Sequence, residues 1–342
     1  MTALPDIEGV LSADEVVQSA QSIAALQLDT GMIPWFVDGH CDPWNHVETA
    51  MALDVAGFHR EAERAYEWLV DMQRADGSWW NYYLPDGTVE EAKLDTNVCA
   101  YVATGVWHHW LCTWDRAFVD HLWPTVERAL DWVLGMRKPN GTVLWARTEH
   151  AVPWDYALLT GSSSIQHALR CGAQLAQLIN EPRPDWLEAA ERMAFIVANH
   201  PEAFEPKHRW AMDWYYPVLS GAVIGEDAKA HLADKWDVFA MEDKGIRCVS
   251  DEPWITASET AEAAIAFAAS GDQSTATDLL LWTRSHRLDD GSYWTGIVYP
   301  TIERFPAGET SAYTAAAVIL AADAITGASP AGAVFAPRAA LD

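Results

Sequence analysis

Six stretches of the chain read as helices that are apolar on nearly every side, and that recurrence leaves few folds open. The stretch from Pro253 to Phe267 shows the pattern. Pro253, Thr256 and Ser258 are start signals, and the body runs Ala263-Ala264-Ile265-Ala266-Phe267. Such a helix must be covered by neighbours on several sides. With Glu259 as its anchor, its counterparts begin near Asn45, Asp95, Ser163, Asp213 and Glu309, at spacings of 50, 68, 50, 46 and 50 residues. Between them, six charged amphipathic helices are predicted over 12–28, 59–74, 115–137, 184–198, 226–239 and 272–286. Ser12 with Glu15 makes a capping box for the first, and Asp42-Pro43 supplies an N-cap and N1 pair for the apolar helix that follows.

A near-constant period of helix pairs means stacked supersecondary units. The expected fold is all-α: a single (α/α)6 toroid domain over residues 1–342, with six apolar helices inside and six charged ones outside. The Ala/Pro/Gly-rich tail from about 327 is expected to be loose, and residues 31–40 to form a loop with at most a short strand. An open α-solenoid competes, but the terminal repeats carry no polar capping face. In a toroid the six inner-helix N-termini surround one mouth.

Charge narrows the ligand. Formal net charge is −27, from 22 Lys and Arg against 49 Asp and Glu. A chain this acidic is a poor partner for nucleic acid, anionic lipid or polyphosphate, and a neutral ligand fits better. Tryptophan is abundant at 19 residues. Most are expected to wedge between helices, leaving a few to line a cleft for sugar rings or an isoprenoid chain. The five cysteines are odd in number, scattered and without a Cys-x-x-Cys, which suits reduced thiols in the cytoplasm. No secretory signal is visible, and no run approaches the ~18 apolar residues of a membrane span. The oligomeric state is left open.

Two turns share a theme: Gln73-Arg74-Ala75-Asp76-Gly77-Ser78-Trp79 and Arg287-Leu288-Asp289-Asp290-Gly291-Ser292-Tyr293-Trp294. They resemble the QW turns of squalene cyclases and prenyltransferase β-subunits, which also use α/α toroids. Asp-Gly makes the turn and the aromatic staples one helix pair to the next, so the likeness concerns architecture. The acidic Asp-x-Asp-Asp motif of class II cyclases, the Asp-rich magnesium motifs of class I synthases and the zinc set of prenyltransferases have no counterpart. Cys41, Asp42 and His46 are merely close in sequence, and neither metal nor other cofactor is expected.

Glycosidases and polysaccharide lyases share the toroid, with a cleft at the inner-helix N-termini walled by Trp and Tyr. The matching ends here carry Asp42, Trp44, Asn45, His46 and Glu48, then Asp95, Asn97 and Tyr101, then Trp154, Asp155 and Tyr156. They continue with Asp213, Trp214, Tyr215 and Tyr216, then Trp254, Glu259 and Glu262, and last Glu309 and Tyr313. Trp35 lies in the loop ahead of the first set. Carboxylates accept from hydroxyls and aromatic faces stack on sugar C–H faces, so a neutral oligosaccharide or polysaccharide is the expected partner. Over nearly its full length the chain is similar to actinobacterial proteins labelled prenyltransferase-like, and among them to the mycobacterial methylmannose polysaccharide hydrolases. That resemblance implies an endo-acting α-1,4-mannosidase that cuts an intracellular, partly methylated mannan.

Glycoside hydrolysis needs a carboxylic acid to protonate the leaving oxygen and a carboxylate to activate water or attack. Three residues past the anchors, two helices carry Glu48 and Glu262, while the others carry Val98, Gln166, Tyr216 and Ala312. Glu262, at the top of an apolar run, is the expected general acid, because burial raises a carboxyl pKa. Glu48, Asp42 and Asp95 are candidates for its partner, in that order. Plainer roles stay open: Asp42 and Asp95 as N-caps, Glu259 and Glu309 as first-turn acids, Glu48 in a core network, and His40, His46 and His167 as satisfied core residues. The candidate sugar contacts are Trp35, Trp44, His46, Asn97, Tyr101, Asp155, Tyr156, Asp213, Tyr215, Trp254, Glu259, Glu309 and Tyr313. An isoprenoid enzyme and a non-catalytic glycan-binding toroid are the competing functions.

Overall fold

The computed structural model describes residues 3–336. Its first helix, α1 (Ala13–Leu26), buries one stripe of Val16, Ser19, Ala20 and Ile23 and begins at the Ser12/Glu15 capping box. The second, α2 (Pro43–Val55), is capped by Asp42 and buries every residue from His46 to Val55. The chain continues through α3 (His59–Met72), α4 (Thr96–Ala100), α5 (Val102–Thr113), α6 (Arg116–Leu134), α7 (Leu159–Leu178) and α8 (Pro184–Asn199). It ends with α9 (Met212–Leu219), α10 (Gly225–Asp234), α11 (Trp236–Phe239), α12 (Ala257–Ser270), α13 (Gln273–Trp282) and α14 (Ala312–Thr326). Twelve helices were expected. The larger number arises because one inner helix breaks at Tyr101 into α4 and α5, and one outer helix breaks at Lys235 into α10 and α11.

The inner ring is α2, α4/α5, α7, α9, α12 and α14. Each packs on the next, and α14 packs on both α2 and α1, so the ring closes and the open solenoid is excluded. The two repeated Asp-Gly turns help to close it. Gly77 and Gly291 have φ of 96° and 88°, a left-handed conformation that suits glycine. A Cβ on Gly77 would stand 2.3 Å from the Arg128 carbonyl oxygen, and one on Gly291 2.5 Å from the Gln18 carbonyl carbon. Each turn therefore leans its backbone on the next outer helix, Gly77 on α6 and Gly291 back on α1. Trp79, buried behind the first turn, donates Nε1–H to the Leu69 carbonyl at 2.9 Å.

The small sheets are an addition to the expected all-helical fold. A hairpin joins β1 (Tyr82–Tyr83) to β2 (Val89–Glu91), and β3 (Lys93–Asp95) pairs antiparallel with β4 (Ala146–Thr148). Then β5 (Ala240–Met241), β6 (Gly245–Arg247), β7 (Trp254–Thr256), β8 (Gly296–Val298) and β9 (Glu303–Arg304) form an antiparallel sheet in that order. At two or three residues each they are too short for a period-two pattern to register. All of them lie in segments that lead into inner helices.

Two further differences concern chain ends. Glu309 precedes its helix, because Thr310 bridges to Trp294 and the Ala312 N–H reaches the Trp35 carbonyl at 2.7 Å. The tail is not loose over residues 330–335. Pro330–Phe335 is a 3-10 turn packed on α14, α5 and α12, while residues 337–342 lie outside the described part. Among the described residues no helix is long and apolar enough to cross a membrane.

Inside the α2/α5 contact a buried Asp54 accepts from Nδ1–H of His59 at Oδ1 and of His109 at Oδ2, each at 2.9 Å. Despite burial, the nearby His109 and these two hydrogen bonds hold the Asp54 carboxyl below its ordinary range. Asp54→Ala strands a buried ring nitrogen, so urea unfolding at neutral pH should register a loss of about 3 kcal/mol. Because the folded pKa is depressed, that contribution exists above the ordinary Asp range and fades as pH falls through the folded value.

Candidate active site

A cleft of about 340 Å³ opens at the inner-helix N-termini, and five carboxylates line it: Asp42, Glu48, Asp95, Glu259 and Glu262. Lys93 is the one cation among the lining residues. Its Nζ lies 3.8 Å from Glu91 and 4.6 Å from the centre of the Trp145 ring. The polar wall is completed by Asn45, Asn81, Asn97 and Ser258, the aromatic wall by Trp35, Trp44, Tyr82 and Tyr313, and the aliphatic part by Val98 and Met212.

Helix starts position the acids. Asp42 caps α2 through the Asn45 N–H at 3.0 Å, and its Oδ2 accepts from Trp35 Nε1 and Asn45 Nδ2, both at 2.7 Å. Burial raises its pKa while those donors oppose the rise. Asp95 ends β3 and caps α4, accepting from the Asn97 and Val98 amides at 3.0 and 3.3 Å. Burial lifts it to about 6, with Lys93 pulling the other way. Glu259 accepts from Cys248, Ser258 and Thr256, which tie it to the start of α12. Both oxygens of Asp42 and of Glu259 are engaged in this way, whereas Asp95 takes its two amides at Oδ1.

Glu48 and Glu262 cap nothing and lie inside α2 and α12. Glu48 Oε1 takes both its donors, Trp44 Nε1 at 2.8 Å and Tyr101 OH at 3.1 Å. The Trp44 and Tyr101 rings stack with centroids 5.1 Å apart and hold that arrangement. Glu262 Oε2 accepts from the Tyr215 hydroxyl. Among the described residues no donor occupies Glu48 Oε2 or Glu262 Oε1. Burial pushes Glu48 up to about 7, and the charges of Asp42 and Glu259 add to the push. Burial and the neighbouring Glu48 drive Glu262 well above the carboxylate range, against the Tyr215 hydrogen bond. Two interacting carboxyls cannot both ionise readily, so the pair holds one proton over a wide pH range.

Ten residues expected at the mouth from sequence meet in the cleft: Trp35, Asp42, Trp44, Asn45, Glu48, Asp95, Asn97, Glu259, Glu262 and Tyr313. Tyr101 and Tyr215 stand behind it, each bonded to one of the two glutamates. Buried Asn97 Oδ1 has no partner among the described residues. Other expected contacts lie elsewhere. His46 spends Nδ1 on the Ile33 N–H at 3.2 Å and Nε2 on the Ala65 carbonyl at 2.8 Å, behind α2. Asp213 accepts from Thr160 Oγ1 at 2.7 Å and so ties α9 to the start of α7. Trp254 donates to the Phe305 carbonyl within the sheet at 3.1 Å, and Glu309 accepts from Thr295 at 2.9 Å. Asp155 is exposed, and Tyr156 stacks on Trp145 outside the cleft, with ring centroids 5.7 Å apart.

Asn81, Tyr82, Lys93 and Met212 were missed. The bridge between Cys41 and Tyr83 carries β1 to the cap of α2, and so brings Asn81 and Tyr82 to the cleft. The only sequence signal was the polar-aromatic run after the Asp-Gly-Ser-Trp turn, which reads equally as a turn staple.

Comparison with known proteins places these features in a family. No family model matches the chain. The chain is 47% identical over 335 residues, 98% of its length and 92% of the relative's, to "MMP endo-(1,4)-3-O-methyl-alpha-D-mannosidase" of Mycolicibacterium hassiacum. Among solved structures a wild-type glycosidase superposes with a TM-score of 0.73 at 14% identity, over 92% of this chain and 97% of that one. The cellobiose 2-epimerase of Spirochaeta thermophila gives 0.67 at 14%, over 91% and 95%. At such low identity the two structures share the fold alone.

Proposed function

The chain belongs to the family of MMP endo-(1,4)-3-O-methyl-alpha-D-mannosidase, and on that footing we propose that it cleaves (1,4)-linked α-mannosidic bonds within a 3-O-methylated mannan, with Glu262 as general acid. It is a glycoside hydrolase. The observation that carries the residue assignment is the pair itself: two buried glutamates lining one cleft, each with one oxygen tied and the other without a donor. The tied oxygens fix both carboxyls, and the open ones are available for proton transfer. Glu262, kept protonated, gives its proton to the leaving oxygen. Glu48, ionised, activates water or attacks the anomeric carbon. Asp42 and Asp95 fit a lesser part, since both oxygens of Asp42 are tied and Asp95 is spent on capping α4 through Oδ1. Asn97 lines the cleft and offers its side-chain amide to a sugar hydroxyl, and Trp35, Tyr82 and Tyr313 offer ring faces and edges to apolar parts of the substrate, methyl ethers included. A cleft of five carboxylates and one lysine opposes a diphosphate, which weighs against an isoprenoid substrate. Five buried free thiols suit a reducing compartment such as the cytoplasm.

The test is digestion of a (1,4)-linked 3-O-methyl-α-mannan across pH. Internal fragments should form, with kcat/KM rising through about 7 as Glu48 ionises and falling at higher pH as Glu262 loses its proton. Release of single sugars only, or a rate already maximal at pH 5, defeats the reading. The anomer released first, read by proton NMR, separates water activation from attack.

A further inference from the structure

Beneath the two glutamates is a void of about 10 Å³, room for one water at most. Glu48, Tyr101, Tyr216 and Glu262 line its upper part, with Leu219, Ile265, Ala317 and Leu320 around it, and Phe335 completes the lining. Phe335 also lines a separate pocket of about 360 Å³, together with Trp107, His167 and Ser220. One side chain from the end of the chain thus touches both the void under the carboxyls and a larger space beyond it.

That side chain is held on purpose-built contacts. The 3-10 turn Pro330–Phe335 is capped by Ser329, whose N–H and hydroxyl donate to the two oxygens of buried Asp323 at 2.8 and 2.5 Å. His167 Nε2 donates to the Val334 carbonyl at 2.9 Å, and the His167 ring stacks on Phe335 with centroids 5.3 Å apart. Burial holds His167 at about 4, so it remains a neutral donor at neutral pH. Gly332 lies so close to the end of α14 that a Cβ would stand 2.7 Å from the Asp323 carbonyl oxygen.

We propose that Phe335 is a positioning residue for hydrolysis: the C-terminal turn stoppers the narrow end of the toroid, and the Phe335 ring keeps water from reaching Glu48 and Glu262 from below. The proposal rests on the reading of those glutamates as the catalytic pair. The wall matters because burial is what raises the Glu262 pKa, and each further water that solvates the anion from below would lower it. The other titratable groups around Glu262 are Glu48 on α2, Tyr101 beside α5, Tyr215 and Tyr216 on α9, Glu259 on its own helix, and Cys248. To the void α14 and the turn present only Ala317, Leu320 and Phe335. Water is therefore the one new stabiliser of the Glu262 anion that opening the floor would admit.

The test compares Phe335→Ala, Phe335→Leu and wild type. In Phe335→Ala the alkaline limb of kcat/KM should move down by about one pH unit, a tenfold loss of rate on that limb, with KM little changed. Phe335→Leu, which refills the gap, should restore the limb. Should Phe335→Ala not fold, Gly332→Ala, which lifts the turn off α14, should give the same shift. An unmoved limb in the folded Ala variants, or an equal shift in Phe335→Leu, overturns the proposal. Infrared titration of the protonated carboxyl band reads the same shift without turnover. If that band moves while Glu262→Gln hydrolyses normally, the floor stands and the catalytic assignment falls.

Discussion

Glu262→Gln should lower kcat on a (1,4)-linked 3-O-methyl-α-mannan by about 10²–10⁴-fold, the range for loss of a general acid. The amide keeps the size of the carboxyl and can still accept from Tyr215, so the site keeps its shape and KM stays near wild type. Only the transferable proton is gone. Two consequences mark that loss as chemical. The alkaline limb of the pH profile should vanish with the group that made it. An aryl manno-oligosaccharide with an acidic phenol as leaving group should be hydrolysed at close to the wild-type rate, because that oxygen departs without protonation. Full activity on the native polymer, or no rescue by the aryl substrate, removes Glu262 from the acid's role.

Glu48→Gln should also cost about 10²-fold or more in kcat, but with the opposite signature. The aryl substrate should not rescue it, since water activation or attack is still missing. The rising limb near pH 7 should disappear. The falling limb should move to lower pH, because the like charge that helps raise the Glu262 pKa is gone. Rescue of Glu48→Gln and not of Glu262→Gln would exchange the two assignments.

The route from sequence to this pair was short for physical reasons. Inner helices of a toroid are apolar all round, so a carboxylate one turn inside stands out, and only Glu48 and Glu262 occupy that level. The outer helices were legible from their periodicity and from caps such as Ser12 with Glu15. Less legible was anything decided by pairing between distant segments. Lys93 and Tyr82 reach the cleft on strands of two or three residues, whose partners Thr148 and Glu91 carry no local signal. His46 and Asp213 share the level of the mouth in sequence, yet α2 turns His46 toward Ala65, and Thr160 claims Asp213. Composition concealed the tail: an Ala/Pro/Gly run reads as loose, and only contacts with Asp323 and His167 reveal an ordered turn.

The closed ring bears on how the enzyme comes into being. Glu48 belongs to the first inner helix and Glu262 to the fifth, while the last, α14, packs beside both of their helices. On the ribosome the N-terminal half emerges with one carboxylate and nothing to pair it with. The groove that should receive α14 stays open until nearly the whole chain has been made. Contacts this remote in sequence slow folding, and the partly made ring exposes apolar inner helices to aggregation. The cleft that Glu48 and Glu262 share is complete once the Gly291 turn rests on α1 and the first and last repeats meet.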